Sequence, residues 1–115
     1  MTGSGMPTLY GLKNCSTCRT AAQELKGAGK DVTFVDVRES RLAPDVIDRF
    51  LQEFGDALVN RRSTTWRNLS DRQRQGSPDD LIARHPSLMK RPVIVEGEMS
   101  TLGWNAAARA RHLGE

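Results

Sequence analysis

The chain carries two cysteines, Cys15 and Cys18, with a serine and a threonine between them. The pair falls where a short strand predicted over residues 8–10 gives way to a helix that should run to about residue 26. At the first turn of a helix, exposed N–H groups and the helix dipole favour negative charge, which lowers the pKa of a thiol. A thiolate at Cys15 could attack a disulfide or another oxidised centre, and Cys18 could then resolve the mixed disulfide. The spacing therefore predicts a redox-active pair.

Two other interpretations of the cysteine pair are open. A CxxC pair is half of a four-ligand zinc site, but the second half would have to come from His85 and His112, which lack the spacing of a zinc finger. We therefore expect no metal. The cysteines could also be structural and unreactive, although a CxxC pair at a strand-to-helix junction more often serves redox chemistry. His112, in the last predicted helix, is expected to face solvent.

The elements that must position the pair follow in the order βαβ, then a helical block of about 50 residues, then ββα. Apolar residues recur at spacings of three and four from Leu42 to Phe54, which predicts an amphipathic helix within the block. This order predicts an α/β, thioredoxin-like fold: a central mixed sheet of about four strands, with a helical insertion over about residues 42–90. A generic α+β domain is the alternative. Residues 7–115 are expected to form this single domain, and residues 1–6 a disordered tail or a tag remnant.

Pro92 begins a short apolar run, residues 92–95, that is predicted to be a strand. A cis X-Pro bond is typical of a tight turn, and in a thioredoxin-like fold a cis-proline at the start of this strand lies opposite the cysteine loop. An ordinary trans proline at a strand edge is the alternative. In the first case Pro92 belongs to the same site as Cys15.

The basic residues are concentrated in one part of the chain. Residues 61–91 contain eight arginines or lysines and three aspartates, a net charge of +5, whereas the remaining residues sum to −2. The guanidinium group binds carboxylates and oxyanions through paired hydrogen bonds. Most of these arginines are expected on solvated helical faces. Lys13 and Asn14, beside Cys15 in the sequence, are candidates for binding an anion near the thiol.

Length and composition exclude several classes of protein. A chain of 115 residues and 12.8 kDa suits one domain. No apolar run approaches the roughly 18 residues of a membrane span, and the first residues lack the charged and apolar regions of a secretory signal. Two cysteines cannot form a disulfide framework, and a net charge of +3 is too small to imply nucleic-acid binding. We therefore expect a cytoplasmic monomer that binds neither membrane nor nucleic acid.

Four segments taken together carry a resemblance to a known family: residues 10–18 (YGLKNCSTC), 60–67 (NRRSTTWR), 90–92 (KRP) and 102–104 (LGW). In this order they resemble the arsenate reductase-related family, which includes ArsC, Spx and YffB, over essentially residues 8–113. The second and fourth segments look closest to the YffB branch, whose members are regarded as glutathione-dependent thiol reductases. The resemblance implies a thioredoxin fold with a helical insertion.

By position, the resemblance makes Cys15 the catalytic cysteine and Arg91, next to a cis-proline at Pro92, an oxyanion-binding arginine. It makes Arg62 a second such arginine. Arsenate reductases place a third arginine after the hairpin strand, where residues 100–104 of this chain are STLGW. The missing arginine argues against arsenate reduction. Cys18 gives the CxxC pattern of Spx regulators, in which the pair is a redox switch.

Three hypotheses for function follow from this resemblance. The first is a glutathione-dependent thiol–disulfide reductase in which Cys15 attacks the substrate, Cys18 is the resolving or redox partner, and Arg62 and Arg91 hold a glutathione carboxylate. Glutathione would be a co-substrate, with no bound cofactor. The second is an arsenate reductase in which Cys15 attacks arsenic. The third is an Spx-like regulator that binds the α subunit of RNA polymerase rather than a substrate.

Overall fold

The computed structural model describes residues 5–114, whose contacts divide them into two compact units. The first unit runs through Asp36 and resumes at Arg91, and the second is Val37–Lys90. In chain order the elements are β1 (Thr8–Gly11), α1 (Ser16–Gly27), β2 (Thr33–Asp36), α2 (Pro44–Phe54), α3 (Thr64–Arg67), α4 (Asp71–Arg74), α5 (Pro78–Arg84), β3 (Val93–Glu96), β4 (Met99–Leu102) and α6 (Ala106–Leu113). None of the helices described within residues 5–114 is long and apolar enough to cross a membrane.

The first unit is built on a mixed four-stranded sheet with the strand order β2-β1-β3-β4. Strand β1 pairs in parallel with β2 and antiparallel with β3, which forms an antiparallel pair with β4. Gly11 at the end of β1 lies opposite Asp36, and Tyr10 lies opposite Val93. The ends of β1 and β2 and the start of β3 therefore meet at one end of the sheet. The predicted α/β, thioredoxin-like fold is confirmed.

Helix α1 packs against this sheet because its apolar residues recur every three or four positions. Its buried side chains are those of Cys18, Ala21, Ala22 and Leu25. They form one apolar cluster with Leu9 of β1 and Ile94 of β3, and Cys15 packs against its margin. Helix α1 thus carries the second cysteine into the core and leaves the first at the boundary with solvent.

The second unit is helical and has an apolar cluster of its own. Helix α5 buries Leu81, which packs with Leu69 and Leu88, and Trp66 lies against this cluster. The helical insertion was expected to begin at about residue 42, whereas the second unit begins at Val37. The reason is that Val37, 1% exposed, lines a small cavity with residues of the second unit, Ile47, Ile82 and Met89 among them.

Two of the short helices in the second unit begin at serine caps. The Ser70 hydroxyl accepts a hydrogen bond from the Gln73 N–H at 3.1 Å, and the Gln73 side chain accepts one from the Ser70 N–H at 2.8 Å. This capping box fixes the start of α4. Ser63 caps α3 by accepting from the Trp66 N–H at 3.1 Å. Sequence reasoning missed α3 because four residues are too few to show a helical period.

The N-terminal backbone is tied to the first unit at Gly5. Its N–H donates to Glu96 Oε2 at 3.0 Å, and its carbonyl accepts from the Asp31 N–H at 2.9 Å. The first of these hydrogen bonds satisfies one oxygen of a buried carboxylate. That residues 1–6 are a disordered tail or a tag remnant stays a prediction. Residues 1–4 and 115 lie outside the described residues. That residues 7–115 form a single domain stays a prediction.

A buried polar network joins β3, β4 and α6. Glu96 is 0% and His112 1% exposed, and Glu96 Oε1 lies 2.8 Å from His112 Nδ1. Thr101 Oγ1 lies 2.7 Å from His112 Nε2, and Lys30 Nζ lies 2.5 Å from Glu96 Oε2. The expectation that His112 faces solvent is wrong, because Glu96 and Thr101 satisfy both ring nitrogens in the interior.

Candidate active site

Cys15 occupies the N-cap position of α1, with an extended backbone at φ −90° and ψ 118°. Its N–H donates to the Leu12 carbonyl at 3.1 Å, and its carbonyl accepts from the Arg19 N–H at 3.0 Å. The thiol is partly exposed and stands where the N-terminal N–H groups of a 12-residue helix favour negative charge. The structure thus places Cys15 at the start of the helix, as the sequence predicts.

The environment of Cys15 favours its thiolate. Burial alone would raise the pKa of the Cys15 thiol. Hydrogen bonds from the Cys18 N–H and thiol, together with the hydrogen bond and positive charge of Arg91, outweigh burial and lower this pKa below its ordinary value. Cys15 is therefore the more nucleophilic of the two cysteines at neutral pH.

Cys18 has the opposite environment. Its side chain is 0% exposed, and this burial raises the pKa of the Cys18 thiol to about 12, with the neighbouring Cys15 adding to the rise. The thiol accordingly keeps its proton at neutral pH and can donate it in a hydrogen bond to Cys15. Both cysteines are free thiols in this structure. The pair divides into a thiol with a lowered pKa at the boundary with solvent and a protonated partner beneath it.

Gly11 makes room for the Cys18 sulfur. A Cβ atom at Gly11 would lie 2.5 Å from Cys18 Sγ and 3.2 Å from Leu9 Cδ2. We expect Gly11→Ala to lower the free energy of unfolding by about 1–3 kcal/mol, because this core cannot accept another methyl group without shifting the sulfur. Denaturant unfolding measures the loss. Gly27→Ala is the matched control, because a Cβ at Gly27 meets no atom within 4 Å. Equal stability of the two variants would contradict the tight contact.

Arg91 reaches Cys15 through the strand order rather than through proximity in the sequence. Because β1 and β3 are antiparallel neighbours, the residues before β3 lie beside the loop after β1. The Arg91–Pro92 peptide bond is cis, and the Pro92 carbonyl accepts from the Gly103 N–H at 2.8 Å. The Arg91 guanidinium contacts the Cys15 thiol by a hydrogen bond. Two of the predicted site residues, Cys15 and Arg91, are therefore in direct contact.

The cysteine loop is fixed by a residue that sequence reasoning missed. The Lys13 N–H donates to Asp36 Oδ2 at 2.9 Å, and Asp36 is 7% exposed at the end of β2. Asp36 reaches the loop because it pairs in register with Gly11. A signal was available, since Asp36 follows Val32 and Phe34 on the alternating pattern, and an acid in an apolar alternation needs a partner. Lys13 and Asn14 are exposed in this loop.

Arg62 belongs to the second unit and has an exposed side chain. Its N–H donates to Asn60 Oδ1 at 3.1 Å, which fixes the backbone just before α3. The anion-binding role expected for Arg62 stays a prediction. The residues described from 5 to 114 contain no group of three or more His, Cys, Asp or Glu side chains arranged to hold a metal ion.

Comparison with known proteins assigns the family. The sequence profile of the ArsC family matches residues 10–111. The chain belongs to the ArsC family. Within this family it is similar to an uncharacterised protein of Haemophilus influenzae, with 38% identity over 106 residues that cover 87% of this chain and 92% of the other.

This ArsC-family chain is also similar to a solved structure and to a transcriptional regulator. The solved structure of the YFFB (PA3664) protein superposes with a TM-score of 0.85 at 28% identity, covering 93% of this chain and 98% of that one. The global transcriptional regulator Spx of Bacillus subtilis is 28% identical over 108 residues, covering 87% of this chain and 81% of the other. The resemblance carried by the four sequence segments is confirmed.

Proposed function

We propose that this ArsC-family protein is a glutathione-dependent thiol–disulfide reductase whose nucleophile is Cys15. The observation that carries the proposal is the division of the cysteine pair. One thiol is partly exposed and has a lowered pKa, and it accepts a hydrogen bond from a second, buried thiol whose pKa is raised to about 12. Such a pair suits attack by the first sulfur and resolution by the second.

The reaction consists of two exchanges. The Cys15 thiolate attacks one sulfur of a substrate disulfide, which forms a mixed disulfide and releases the other substrate sulfur as a thiolate. Cys18 then attacks Cys15 Sγ, and the proton of Cys18 passes to the departing substrate sulfur. The products are a Cys15–Cys18 disulfide and a fully reduced substrate. Two glutathione molecules return the pair to dithiols and become glutathione disulfide. With a glutathionylated substrate, one glutathione can replace Cys18 in the second step.

The proposal of glutathione as co-substrate is supported by Arg91 and by the polar loop before Cys15. Arg91 contacts the Cys15 thiol, and its guanidinium can also bind a carboxylate through charge-assisted hydrogen bonds. Glutathione carries two carboxylates beside its thiol, so a carboxylate held by Arg91 would bring the sulfur to Cys15. Lys13 and Asn14 offer further exposed polar groups in the same loop, and Arg62 is proposed as a second carboxylate ligand.

A regulator that acts through RNA polymerase is the second candidate function. It is favoured by the similarity to Bacillus subtilis Spx and by the CxxC pair of this chain. An arsenate reductase is disfavoured because residues 100–104 hold no arginine.

A coupled turnover assay separates these candidates. The purified protein is mixed with glutathione, glutathione reductase and NADPH, and then with hydroxyethyl disulfide, a glutathionylated peptide or arsenate. We expect NADPH oxidation with the disulfide and the glutathionylated peptide and none with arsenate. A pull-down with the isolated C-terminal domain of the polymerase α subunit runs in parallel. Binding of that domain without turnover of either disulfide would show that the regulator, and not the reductase, is the function of this protein.

A further inference from the structure

A cationic cleft lies beside the cysteine loop in the first unit. Its volume is about 340 Å³, and its lining residues are Lys13, Arg19, Ala22, Gln23, Lys26 and Phe34. Lys13 comes from the loop that precedes Cys15, and the next four come from α1. Three of the six lining side chains are cationic and none is acidic. The cleft is therefore suited to an anionic ligand that lies close to Cys15.

The positive charges are spread along the cleft rather than gathered at one point. Ala22 and Gln23 follow Arg19 by three and four residues and precede Lys26 by four and three, so these residues share one face of α1. Arg19 and Lys26 are separated by seven residues, which is about 10.5 Å along the helix axis. Within the described part of the chain, neither of these two side chains forms a salt bridge. Their charges are thus available to a ligand with several anionic groups.

Between the cations the surface of the cleft is apolar. Ala22 and Phe34 supply it, and Phe34 is half-buried on β2, where it packs against the cluster that contains Leu9. Strand β2 is at the edge of the sheet, and the cleft is open to solvent. An open cleft with cations along an apolar floor suits an extended ligand with acidic and apolar groups, rather than an enclosed small molecule.

We propose that this cleft docks an acidic segment of a polypeptide, and that the disulfide reduced by Cys15 belongs to the same polypeptide. This inference rests on the proposed function and names its substrate class. Carboxylates two residues apart on an extended chain are separated by about 6.7 Å, so a short acidic segment can match charges spread along α1. A single carboxylate or phosphate cannot. Because Lys13 is two residues before Cys15, a segment seated in the cleft brings its neighbouring residues to the thiol.

The chemistry is that of the proposed reductase. The Cys15 thiolate forms a bond to one sulfur of the polypeptide disulfide, and the other sulfur leaves as a thiolate. Cys18 then bonds to Cys15 Sγ, releases the second polypeptide sulfur and gives up its proton to it. The polypeptide gains two electrons from the cysteine pair and one proton from Cys18, and the sulfur released first as a thiolate takes up its proton from water. Two glutathione molecules supply the replacement electrons and become glutathione disulfide. The cleft adds binding energy to the first step without changing the exchange itself.

Three substrates test the inference. The first is a synthetic disulfide-bridged peptide flanked by glutamates, the second is the same peptide with glutamine at those positions, and the third is hydroxyethyl disulfide. The variant is Arg19→Glu combined with Lys26→Glu. The control is Arg111→Glu, an exposed cation on α6 that does not line the cleft. We expect the double variant to lower kcat/KM by about tenfold for the acidic peptide and to leave the other two substrates unchanged. The Arg111 control should match the wild type on all three.

Two outcomes would overturn the inference. One is an equal loss on all three substrates by the double variant, and the other is no loss on the acidic peptide. Direct titration of the unreacted acidic and glutamine peptides separates this inference from the proposed function. If the wild type reduces no disulfide but binds the acidic peptide more tightly than the glutamine peptide, the proposed reductase function is wrong. The assignment of the cleft to an acidic segment is then still supported. Tighter binding of a single-stranded oligodeoxynucleotide than of the acidic peptide would also reject the peptide site.

Discussion

Cys15→Ser is expected to abolish turnover of disulfides, with a fall of about a thousandfold or more. A serine hydroxyl is not ionised near neutral pH, so neither the start of α1 nor the Arg91 guanidinium can supply a nucleophile there. The coupled glutathione assay with hydroxyethyl disulfide measures the loss. Because Cys15 is partly exposed and serine has nearly its size, the variant should unfold at the same denaturant concentration as the wild type. Full activity in Cys15→Ser would eliminate the proposed mechanism.

Cys18→Ser is the matched comparison, because it removes the second sulfur and keeps the first. This variant should still react with a disulfide and then accumulate as a mixed disulfide on Cys15, which intact-protein mass spectrometry detects. Added glutathione should release it. If Cys18→Ser instead loses the first reaction as completely as Cys15→Ser, the two cysteines do not have the separate roles that their pKa shifts imply.

The same assignment predicts a pH profile. The rate of Cys15 alkylation by iodoacetamide follows the thiolate fraction, so its midpoint should lie below the roughly 8.5 of a free thiol. Removing the guanidinium with Arg91→Met should raise the midpoint, because Arg91 contributes to the lowered pKa through a hydrogen bond and its charge. Arg111→Met serves as the control. A wild-type midpoint at the free-thiol value would show that Cys15 is not activated.

Glu96→Ala is expected to lower the free energy of unfolding by about 3–5 kcal/mol, the cost of breaking a buried charge pair. Glu96 is 0% exposed and accepts hydrogen bonds from Lys30 Nζ and the Gly5 N–H, while its other oxygen contacts His112. Its removal leaves a buried ring nitrogen of His112 and the partly buried ammonium of Lys30 without this acceptor. Denaturant unfolding measures the loss. Glu98→Ala, an exposed acid in the following turn, should change stability by no more than about 0.5 kcal/mol.

The network also predicts how stability responds to acid. Burial lowers the pKa of His112, so below the ordinary value of about 6.5 the unfolded chain takes up a proton that the folded chain does not. Although burial opposes it, hydrogen bonds from Lys30, His112 and Gly5 lower the pKa of Glu96, so further stability is lost below about 4.3. Stability should therefore fall as pH drops through both ranges, and the upper phase should be absent in His112→Gln. Two outcomes would contradict the network. One is that stability responds equally to acid in Glu96→Ala and in the wild type, and the other is that Glu96→Ala loses less free energy of unfolding than Glu98→Ala.

Local chemistry explains why much of the fold was predictable. Helix α1, the capped helix after Ser70 and the order of the elements follow from apolar periodicity, caps and turns, which act over a few residues. The CxxC pair at the strand-to-helix junction was predictable for the same reason. The exposed N–H groups at a helix start lower the pKa of a thiol that lies within the first turn. Helix α3, at four residues, is too short for such a pattern.

The sequence by itself indicated the candidate chemistry of this protein: two thiols at a helix start, arginines predicted to bind an anion, and a thioredoxin-like order of elements. Only the tertiary structure decided which groups act together. The strand order β2-β1-β3-β4 places Arg91 and Asp36 at the cysteine loop, and it buries Glu96 against His112 and Lys30. The physical reason is that hydrogen bonds and pKa shifts depend on distance and burial in space. The pairing of the strands sets these distances and this burial, and the spacing of residues along the chain does not reveal them.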